Sequence, residues 1–421
     1  MEKKLTREKK IRQSMIFNTI GSLVYYACQW LMTILVARMS GYVEAGIFSI
    51  AMSVTASPAI VGLFNVRSFQ VSDVENQFSN EIYIQSRLYT ITLSFIICIV
   101  MVLLGGYDIE KTIDILVYMI YKITEGIADV YYGVEQKKER MDYAGISLAI
   151  RGIGTVIAFG LILETTNSLL LSLIAISIVS FSVILLYDRR IVKKWEKCVV
   201  SGEKIDNGKV IELLRICFPL AIVAFLNNLS LNIPRIYLEK YYGAEVMGFY
   251  ASVSSPTLVV PLAATTILAP LIPELALLFK EKKKPLFFDT IKKLLVMVVI
   301  LSVICLVGAA IFGHWGLVML FTESIEPYTY LFVPIIGTAI LIAVNTSLFS
   351  ICTLMREIKS QYFVGVIGII MSYFLSITLV RKFSMMGVVY ALIGAVVAQI
   401  VVQLIIICKK IRMEFAGDLT N

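Results

Sequence analysis

The chain has 421 residues, of which 58% are hydrophobic and only 16% are charged. An ordinary soluble protein is about 45–50% apolar and about 25% charged, so this composition excludes a soluble globular protein and indicates a polytopic membrane protein. The formal net charge of +8 would fit a nucleic-acid-binding protein. Because the charge follows membrane topology, as described below, we expect the lipid bilayer as a partner and no nucleic acid.

Few residues of the chain are suited to metal or redox chemistry. Seven cysteines and a single histidine occur, and no cysteine pair has metal-ligand spacing. Most of the cysteines lie in apolar runs and are typical of small packing residues. A phosphate-binding GxxxxGK[ST] loop is also missing, which argues against direct use of ATP. We therefore predict no metal site, no cofactor and no catalytic residue.

Apolar runs long enough to cross a bilayer follow one another along the whole chain. The first follows the basic segment MEKKLTREKKIRQ and is too long for a cleavable signal peptide. A membrane span needs about 20 apolar residues. The predicted spans are 14–36, 44–65, 88–105, 113–134, 143–163, 168–187, 213–234, 245–270, 291–313, 329–351, 360–380 and 385–408. Pro58 interrupts the second span, and three prolines occur in the eighth, which predicts bent helices around a central space.

The distribution of Lys and Arg agrees with these twelve spans. With the N-terminus placed in the cytoplasm, 30 of the 38 basic residues fall in the N-terminal tail, the inner loops and the C-terminal tail. Arg67, Arg87 and the turn that contains Arg140 belong to this inner set. Such a bias predicts that both termini are cytoplasmic.

The longest inner connection divides the chain into halves. We predict an N-terminal six-helix bundle at 1–187, a basic cytoplasmic linker at 188–212 and a C-terminal six-helix bundle at 213–421. An alignment at a spacing of 202 residues pairs Gly41 with Gly243 and Phe48 with Tyr250. The shared place of these pairs, after the first helix of each half, favours duplication over coincidence. Two similar halves are a common plan of transporters.

The most unusual stretch of the chain runs from Tyr118 to Arg151, because it places charges inside apolar segments. At about 100° per residue, Lys122, Glu125 and Asp129 fall on one face of a helix. A charge at bilayer depth costs about 2.5–3.5 kcal/mol on insertion scales, so it normally faces the protein interior and marks a pathway or an ion pair. Two interpretations stay open: Lys122 neutralises an acid and joins two helices, or these residues line a substrate path.

The first helix of each half also carries a polar seam. The seams consist of Asn18, Ser22, Tyr25 and Gln29 in the first half, and of Asn228, Asn232, Arg235 and Glu239 in the second. Spacings near i, i+4, i+7 and i+11 place each set on one helical face. Inter-helix hydrogen bonding and a polar cavity wall explain the asparagines equally well, whereas for Arg235 we favour the cavity. A rim ion pair between Arg235 and Glu239 is a further alternative.

Three stretches carry a family resemblance: LVARMSGYVEAGIFSIAMS, NVRSFQVSD and KITEGIADVYYGVEQKKERMDYAGISLAIRG. They resemble the O-antigen and capsule polysaccharide flippases of the multidrug/oligosaccharidyl-lipid/polysaccharide exporter superfamily. The resemblance implies an all-α fold of two six-helix bundles in a V shape. It also implies movement of an isoprenoid-diphosphate-linked oligosaccharide across the bacterial cytoplasmic membrane by alternating access, alongside a polysaccharide polymerase and glycosyltransferases.

The charged residues suit such a cargo. A cationic cavity would compensate the diphosphate, and arginine makes bidentate contacts to phosphate. The candidate substrate-binding cations are Lys122, Arg151, Arg67 and Arg235. The candidates for charge pairing or for carrying a coupling proton are Glu125, Asp129 and Glu239. The candidates for polar cavity lining are Tyr118, Tyr132, Asn228, Asn232 and Gln29.

Two rival functions fit less well. An ion-coupled multidrug or organic-cation antiporter of the same superfamily typically has an acid in its first helix, but the segment from Ser14 to Val36 contains none. A membrane-embedded polysaccharide polymerase or glycosyltransferase would need a sizeable outer loop with catalytic acids or histidines, and the predicted outer loops are short. A peptidoglycan-precursor flippase is close in mechanism, but those relatives usually carry two further helices.

Overall fold

The structure, a computed structural model, describes residues 2–73, 75–195, 206–258, 260, 271–355 and 357–416. Nearly all of these residues are helical, and no strand occurs among them. The chain forms two compact units, Met1–Phe225 and Leu226–Asn421. The predicted all-α fold is therefore confirmed. The predicted domain boundaries stay a prediction, since residues 196–205 of the linker lie outside the described ranges.

The first unit is built from long helices joined by short turns. Its helices are α1 (Glu2–Met39), α2 (Gly41–Leu63), α3 (Val66–Ser72), α4 (Asn80–Gly105), α5 (Ile109–Lys137), α6 (Met141–Thr166), α7 (Leu169–Val183) and α8 (Arg189–Trp195), followed by the start of α9 (Asn207–Ser254). A π-helical segment, Ile184–Asp188, joins α7 to α8.

The second unit is also built from long helices joined by short segments. After α9 it contains a 3₁₀ turn (Ser255–Leu258), α10 (Leu271–Lys280), α11 (Lys284–Leu320), a 3₁₀ segment (Glu323–Leu331), α12 (Phe332–Leu354), α13 (Ile358–Leu375), a π-helical segment (Ser376–Val380) and α14 (Arg381–Ala416).

Nine helical runs in the described part of the chain are long and apolar enough to cross a membrane. The run Asn207–Thr257 contains the seventh predicted span and the start of the eighth, and the run Ile358–Met413 contains the eleventh and twelfth. Within these runs the helical geometry is interrupted at Gly243 and at Ser384, between the predicted spans. The fourth predicted span corresponds to α5, which is not among the nine and carries the charges of the Tyr118–Arg151 stretch. The chain is thus a multi-pass membrane protein. The count of twelve spans and the cytoplasmic placement of both termini stay predictions.

The structure describes the proline of the second predicted span but only part of the eighth span, which contains three. Helix α2 runs from Gly41 to Leu63 with Pro58 inside it, so Pro58 does not end the helix of the second span, and the predicted bend stays a prediction. Its neighbour α4 satisfies part of the backbone there, because the Ser94 hydroxyl donates to the Pro58 carbonyl oxygen at 2.6 Å. Of the eighth predicted span, residues 259 and 261–270 lie outside the described ranges.

The proposed duplication has a counterpart in backbone geometry. The paired glycines both have positive φ angles, 86° at Gly41 and 83° at Gly243, which other residues rarely adopt. About two helical turns later, Phe48 and Tyr250 are each only 1% exposed. A glycine that turns the chain and an aromatic ring that anchors the next helix therefore recur at the same spacing, which supports the duplication.

Helices α1 and α6 pack backbone against backbone through glycines. A Cβ atom added at Gly21 would lie 2.0 Å from the Gly145 carbonyl oxygen, and one added at Gly145 would lie 2.4 Å from the Phe17 carbonyl oxygen. Further along α6, a Cβ at Gly152 would lie 3.0 Å from the Cα of Tyr25. Small residues that permit such approach are common between membrane helices. This packing places the polar seam of α1 beside Arg151.

Candidate substrate site

The charged face of α5 contains a local ion pair. Lys122 Nζ lies 2.9 Å from Glu125 Oε2 and 3.0 Å from Oε1. The same ammonium lies 5.6 Å from the ring centroids of both Tyr118 and Tyr121. Because these residues are one turn apart on one helix, their proximity follows from helical periodicity. The predicted pairing of Lys122 with an acid is thus present, with Glu125 as the partner.

Helix α1 contributes the polar seam to this pair. The Tyr25 hydroxyl donates to Glu125 Oε1 at 2.5 Å and lies 3.0 Å from the Tyr121 hydroxyl. The Gln29 amide also donates to the Tyr121 hydroxyl. The seam of the first half therefore has the inter-helix hydrogen bonds expected in one of the two interpretations, and it brings Gln29 beside the charged face of α5.

Arg151 on α6 is, among the described residues, the largest side chain that is almost fully buried, with 1% exposure. Its guanidinium donates to the Ser180 hydroxyl at 2.9 and 3.1 Å and to the Tyr132 hydroxyl at 3.2 Å. It also lies 5.7 Å from the centroid of the Tyr25 ring. No carboxylate in the described residues lies within ion-pair distance of it, so neutral hydroxyls and aromatic rings solvate this cation.

A second group of charges surrounds Asp129, which lies two turns after Lys122 on α5. Arg87 Nη2 lies 2.5 Å from Asp129 Oδ2, and Arg67 Nη1 lies 3.3 Å from Oδ1. Arg67 also donates to Gln136 Oε1 at 3.0 and 3.2 Å. Arg87 is only 2% exposed, and it donates to the carbonyl oxygens of Gly62 and Leu63 at the end of α2. Two arginines therefore share one carboxylate.

Tyr132 joins the two groups. Its ring lies beneath Arg67, with 5.8 Å between the guanidinium carbon and the ring centroid. Its hydroxyl accepts from Arg151 and lies 2.9 Å from the Ser147 hydroxyl. The side chains of α3, α4, α5 and α6 are thereby linked into one polar assembly inside the first unit.

We call this assembly the basic cluster. Its charged members are Lys122, Arg151, Arg67, Arg87, Glu125 and Asp129. Four cations and two carboxylates give it a formal excess of two positive charges. Partly exposed members make it accessible: the side chains of Arg67 and Asp129 are 28% and 20% exposed, and those of Lys122 and Glu125 are 20% and 26% exposed. An excess of buried positive charge with an accessible edge is suited to an anion.

Of the remaining predicted residues, Tyr118 lies beside Lys122 in the first unit, and the others belong to the second unit. Tyr118 is fully buried. In the second unit, Asn232 Nδ2 donates to the carbonyl oxygen and side-chain oxygen of Asn228 at 2.9 and 3.0 Å. Arg235 lies 6.0 Å from the ring centroid of Tyr250, and Glu239 is 6% exposed. Their proposed role as the wall of a cavity stays a prediction.

Sequence reasoning missed two members of the first unit's site and misplaced one. Tyr121 and Ser180 hold the charged side chains but lie in apolar context that gave no signal. Arg87, counted among the inner-loop cations, is buried beneath the end of α2 instead. In the described residues no group of three or more His, Cys, Asp or Glu side chains is arranged to hold a metal ion.

A family comparison gives this geometry its context. The family described as "Polysaccharide biosynthesis protein" matches residues 11–279, which is more than half of the chain. The chain belongs to this polysaccharide biosynthesis protein family. The matched range includes every member of the basic cluster.

Two kinds of relative agree with this assignment. The capsular polysaccharide biosynthesis protein CapF of Staphylococcus aureus is 27% identical over 310 residues, which cover 72% of this chain and 76% of CapF. Among solved structures, the lipid II flippase MurJ in an inward closed conformation matches with a TM-score of 0.74 at 14% identity, over 96% of this chain and 91% of MurJ.

An inward-facing multidrug resistance MATE family transporter of the MOP superfamily matches with a TM-score of 0.68 at 10% identity, over 97% of this chain and 99% of the transporter. At these identities the two structural likenesses show the fold alone. The family member described here therefore shares the fold of flippases and of drug transporters.

Proposed function

We propose that the protein is a flippase that moves an isoprenoid-diphosphate-linked oligosaccharide repeat unit across the cytoplasmic membrane of a bacterium. The observation that carries the proposal is the excess of two positive charges in the basic cluster. The charge of a diphosphate is costly to place inside a membrane. The two carboxylates neutralise part of the cluster, and the two positive charges that remain compensate the charge of the diphosphate. CapF, a relative that acts in capsular polysaccharide biosynthesis, supports the choice of substrate class.

Each part of the cluster has a role in this mechanism. Arg67, the most exposed cation, receives the diphosphate first, since its planar guanidinium makes two parallel hydrogen bonds to phosphate oxygens. Asp129 and Gln136 hold that guanidinium when cargo is absent. Lys122 and Arg151 follow deeper along the face, and the hydroxyls of Tyr25 and Tyr132 are suited to sugar hydroxyls. The protein changes conformation by alternating access and performs no covalent chemistry.

An organic-cation antiporter would have the same fold, but the charge of the site does not suit its substrate. Helix α1 contributes hydroxyl and amide groups to the site, and the cluster carries excess positive charge, which repels an organic cation. A polymerase or glycosyltransferase would act on the cargo after or before its movement. We propose enzymes of those two kinds as partners rather than as functions of this chain.

Alanine substitution of Lys122 or Arg151 tests this proposal in the bacterium that encodes the protein. We expect each variant to remain in the membrane, to stop surface polysaccharide and to accumulate lipid-linked repeat units in the inner leaflet. Arg190→Ala, at an exposed site on α8, is the matched control and should leave output unchanged. Normal polymer in both cluster variants would contradict the proposal. Repeat units that reach the outer leaflet but stay unpolymerised would indicate a polymerase.

A further inference from the structure

Two carboxylates that the proposed transport path does not use lie beside the basic cluster. Glu135, near the end of α5, and Asp188, at the end of the π-helical segment after α7, are both 0% exposed. By distance, none of their four carboxylate oxygens has a hydrogen-bond partner in the described residues, and the Ser147 hydroxyl interacts with the Asp188 carboxylate only as a weak donor. Native proteins rarely leave a buried polar atom without a partner. This pair therefore calls for an explanation.

The surroundings of the pair are mostly apolar. Val134, Ala144, Ile184 and Val192 form a buried cluster there with Tyr131 and Tyr132. The titratable and charged groups that face Glu135 are Asp188, Arg67, Asp142 and Tyr187. Those that face Asp188 are Glu135, Arg151, Tyr131, Tyr132 and Tyr187, together with the neutral hydroxyl of Ser147.

Elementary electrostatics decides the state of this pair. An ionised carboxylate without a partner is very costly in an apolar interior, so such a group takes up a proton instead. Two neighbouring carboxylates raise that cost further, because their like charges repel. Of the two, Asp188 has Ser147 and Arg151 close by, whereas acids flank Glu135. Glu135 is therefore the member that holds the proton.

The pair is electrostatically connected to the basic cluster. Arg67 interacts electrostatically with Glu135, and Arg151 interacts electrostatically with Asp188. On α5 itself, Gln136, which binds Arg67, is the next residue after Glu135. Each carboxylate that ionises would cancel one of the cluster's two excess positive charges and would compete for a guanidinium that the cargo needs.

We propose that Glu135 and Asp188 form a proton-binding site that controls the affinity of the basic cluster for an anion. A proton from bulk water forms an O–H bond on a Glu135 carboxylate oxygen, which leaves Arg67 and Arg151 available. Loss of that proton restores a carboxylate, which draws the guanidinium groups and weakens anion binding. The inference rests on the proposed function for the identity of the anion but not for the existence of the proton site.

A proton suits the site better than a metal cation. Calcium and magnesium ions take about six or more oxygen ligands. The surroundings here supply the two carboxylates and the Ser147 hydroxyl, and otherwise present mainly aliphatic side chains. Protonation needs no ligand besides the carboxylate itself.

Infrared spectroscopy of the purified full chain in lipid nanodiscs tests the proton site directly. We expect a protonated-carboxyl band at neutral pH that titrates only in the alkaline range. Glu135→Gln should remove this band, and Asp188→Asn should shift its titration because the like charge is gone. Glu164→Gln, which changes an exposed acid on α6, should leave the band unchanged. A band that is the same in wild type and Glu135→Gln would overturn the proposal, as would a titration that sodium ions displace.

Binding of farnesyl diphosphate, an isoprenoid diphosphate, tests the control of the cluster. In wild type and in Glu164→Gln, the affinity should fall about tenfold as the pH rises through the titration of the carboxyl band. In Glu135→Gln the affinity should stay at its neutral-pH value. All variants meet the same ionisation of the probe, so the difference between them isolates Glu135. An equal fall in all three proteins would refute the coupling. If no variant binds the probe, the proposed function fails, while the infrared result still decides on the proton site.

Discussion

The side chains of the basic cluster divide into those that are buried and hold the helices and those that are partly exposed. Arg87 is buried, binds Asp129 and caps two carbonyl oxygens at the end of α2. Arg67 shares the same carboxylate, yet its side chain is 28% exposed. Two arginines on one aspartate therefore have different roles, the first structural and the second available to a ligand.

Removal of each arginine separates these roles. Arg87→Ala leaves Asp129 with one weaker partner and removes the guanidinium from the Gly62 and Leu63 carbonyl oxygens, of which Gly62 keeps the Thr90 hydroxyl as a donor. Because the Asp129 carboxylate loses its buried partner, we expect the free energy of unfolding to fall by about 3–5 kcal/mol. Arg67→Ala should change it by no more than about 1 kcal/mol, because an exposed ion pair contributes little. Thermal unfolding of the purified variants measures both. Equal losses of stability would show that the division is wrong.

Asp73, at the end of α3 and outside the predicted spans, anchors the turn to α4. Burial alone would raise the pKa of its carboxyl, but the backbone N–H groups of Gln77 and Phe78, the Tyr83 hydroxyl and the Lys137 ammonium together lower that pKa below its ordinary value. The Tyr83 hydroxyl donates to it at 2.8 Å and the Gln77 N–H at 2.8 Å. The ionised carboxylate is thus the form that holds this turn.

A depressed pKa makes this contribution dependent on pH. The stabilisation is complete above the unfolded-state pKa of about 3.9 and is lost as the pH falls through the lower folded-state value. Asp73→Asn should therefore lower stability by about 1.5–3 kcal/mol at neutral pH, and the difference from wild type should shrink in acid. Melting temperatures over a pH series test this, with the exposed Glu212→Gln as control. A difference that persists at the acid end would contradict the role of the charge.

At the scale of elements, the site depends on how closely α1 approaches α6. The glycines Gly21, Gly145 and Gly152 remove the side chains that would hold the two backbones apart. Because of this approach, the Tyr25 hydroxyl reaches Glu125 on α5 and its ring reaches Arg151 on α6. The close packing of α1 on α6 therefore also sets the positions of the Tyr25 hydroxyl and ring in the site.

An alanine at Gly145 should separate these helices. Its Cβ would lie 2.4 Å from the Phe17 carbonyl oxygen, a backbone atom that cannot rotate away. We expect a loss of about 1–3 kcal/mol, in the range of other overpacked sites. Gly160→Ala on the same helix is the matched control, since its Cβ would meet only Leu35 Cδ1 at an ordinary 3.5 Å. Thermal unfolding of the two variants checks this, and an unchanged Gly145→Ala would show that the helices adjust freely.

Elements also show how far sequence reasoning reaches. The pairing of Lys122 with Glu125 could be predicted because helical periodicity fixes neighbours three residues apart. The partners of Asp129 could not, since Arg67 and Arg87 come from two other helices and only tertiary packing brings them together. Proximity to a predicted span end made Arg87 look like a loop residue. Likewise, the role of Ser180 could not be predicted from the sequence. A serine in an apolar helix has many possible roles, and only the packing of α6 beside α7 shows that this one binds a buried arginine.

Across the whole chain, one backbone feature and one core feature recur in both units. The positive φ angles of Gly41 and Gly243 and the buried rings that follow them recur 202 residues apart. The charges do not follow this repetition. The described basic cluster belongs to the first unit, whereas amides such as Asn345 and Gln399, joined at 3.0 Å, provide buried polar contacts in the second. We infer that the units share a scaffold and differ in what they offer the cargo.

Translocation by the purified protein in liposomes would show the proposed flippase activity itself. A fluorescent disaccharide linked through a diphosphate to an isoprenoid is placed in both leaflets, and a membrane-impermeant quencher reports which molecules cross. We predict that wild type and Arg190→Ala make the inner-leaflet pool accessible, and that Arg151→Ala does not although it is folded. Equal translocation by Arg151→Ala, or none by wild type, would contradict the account.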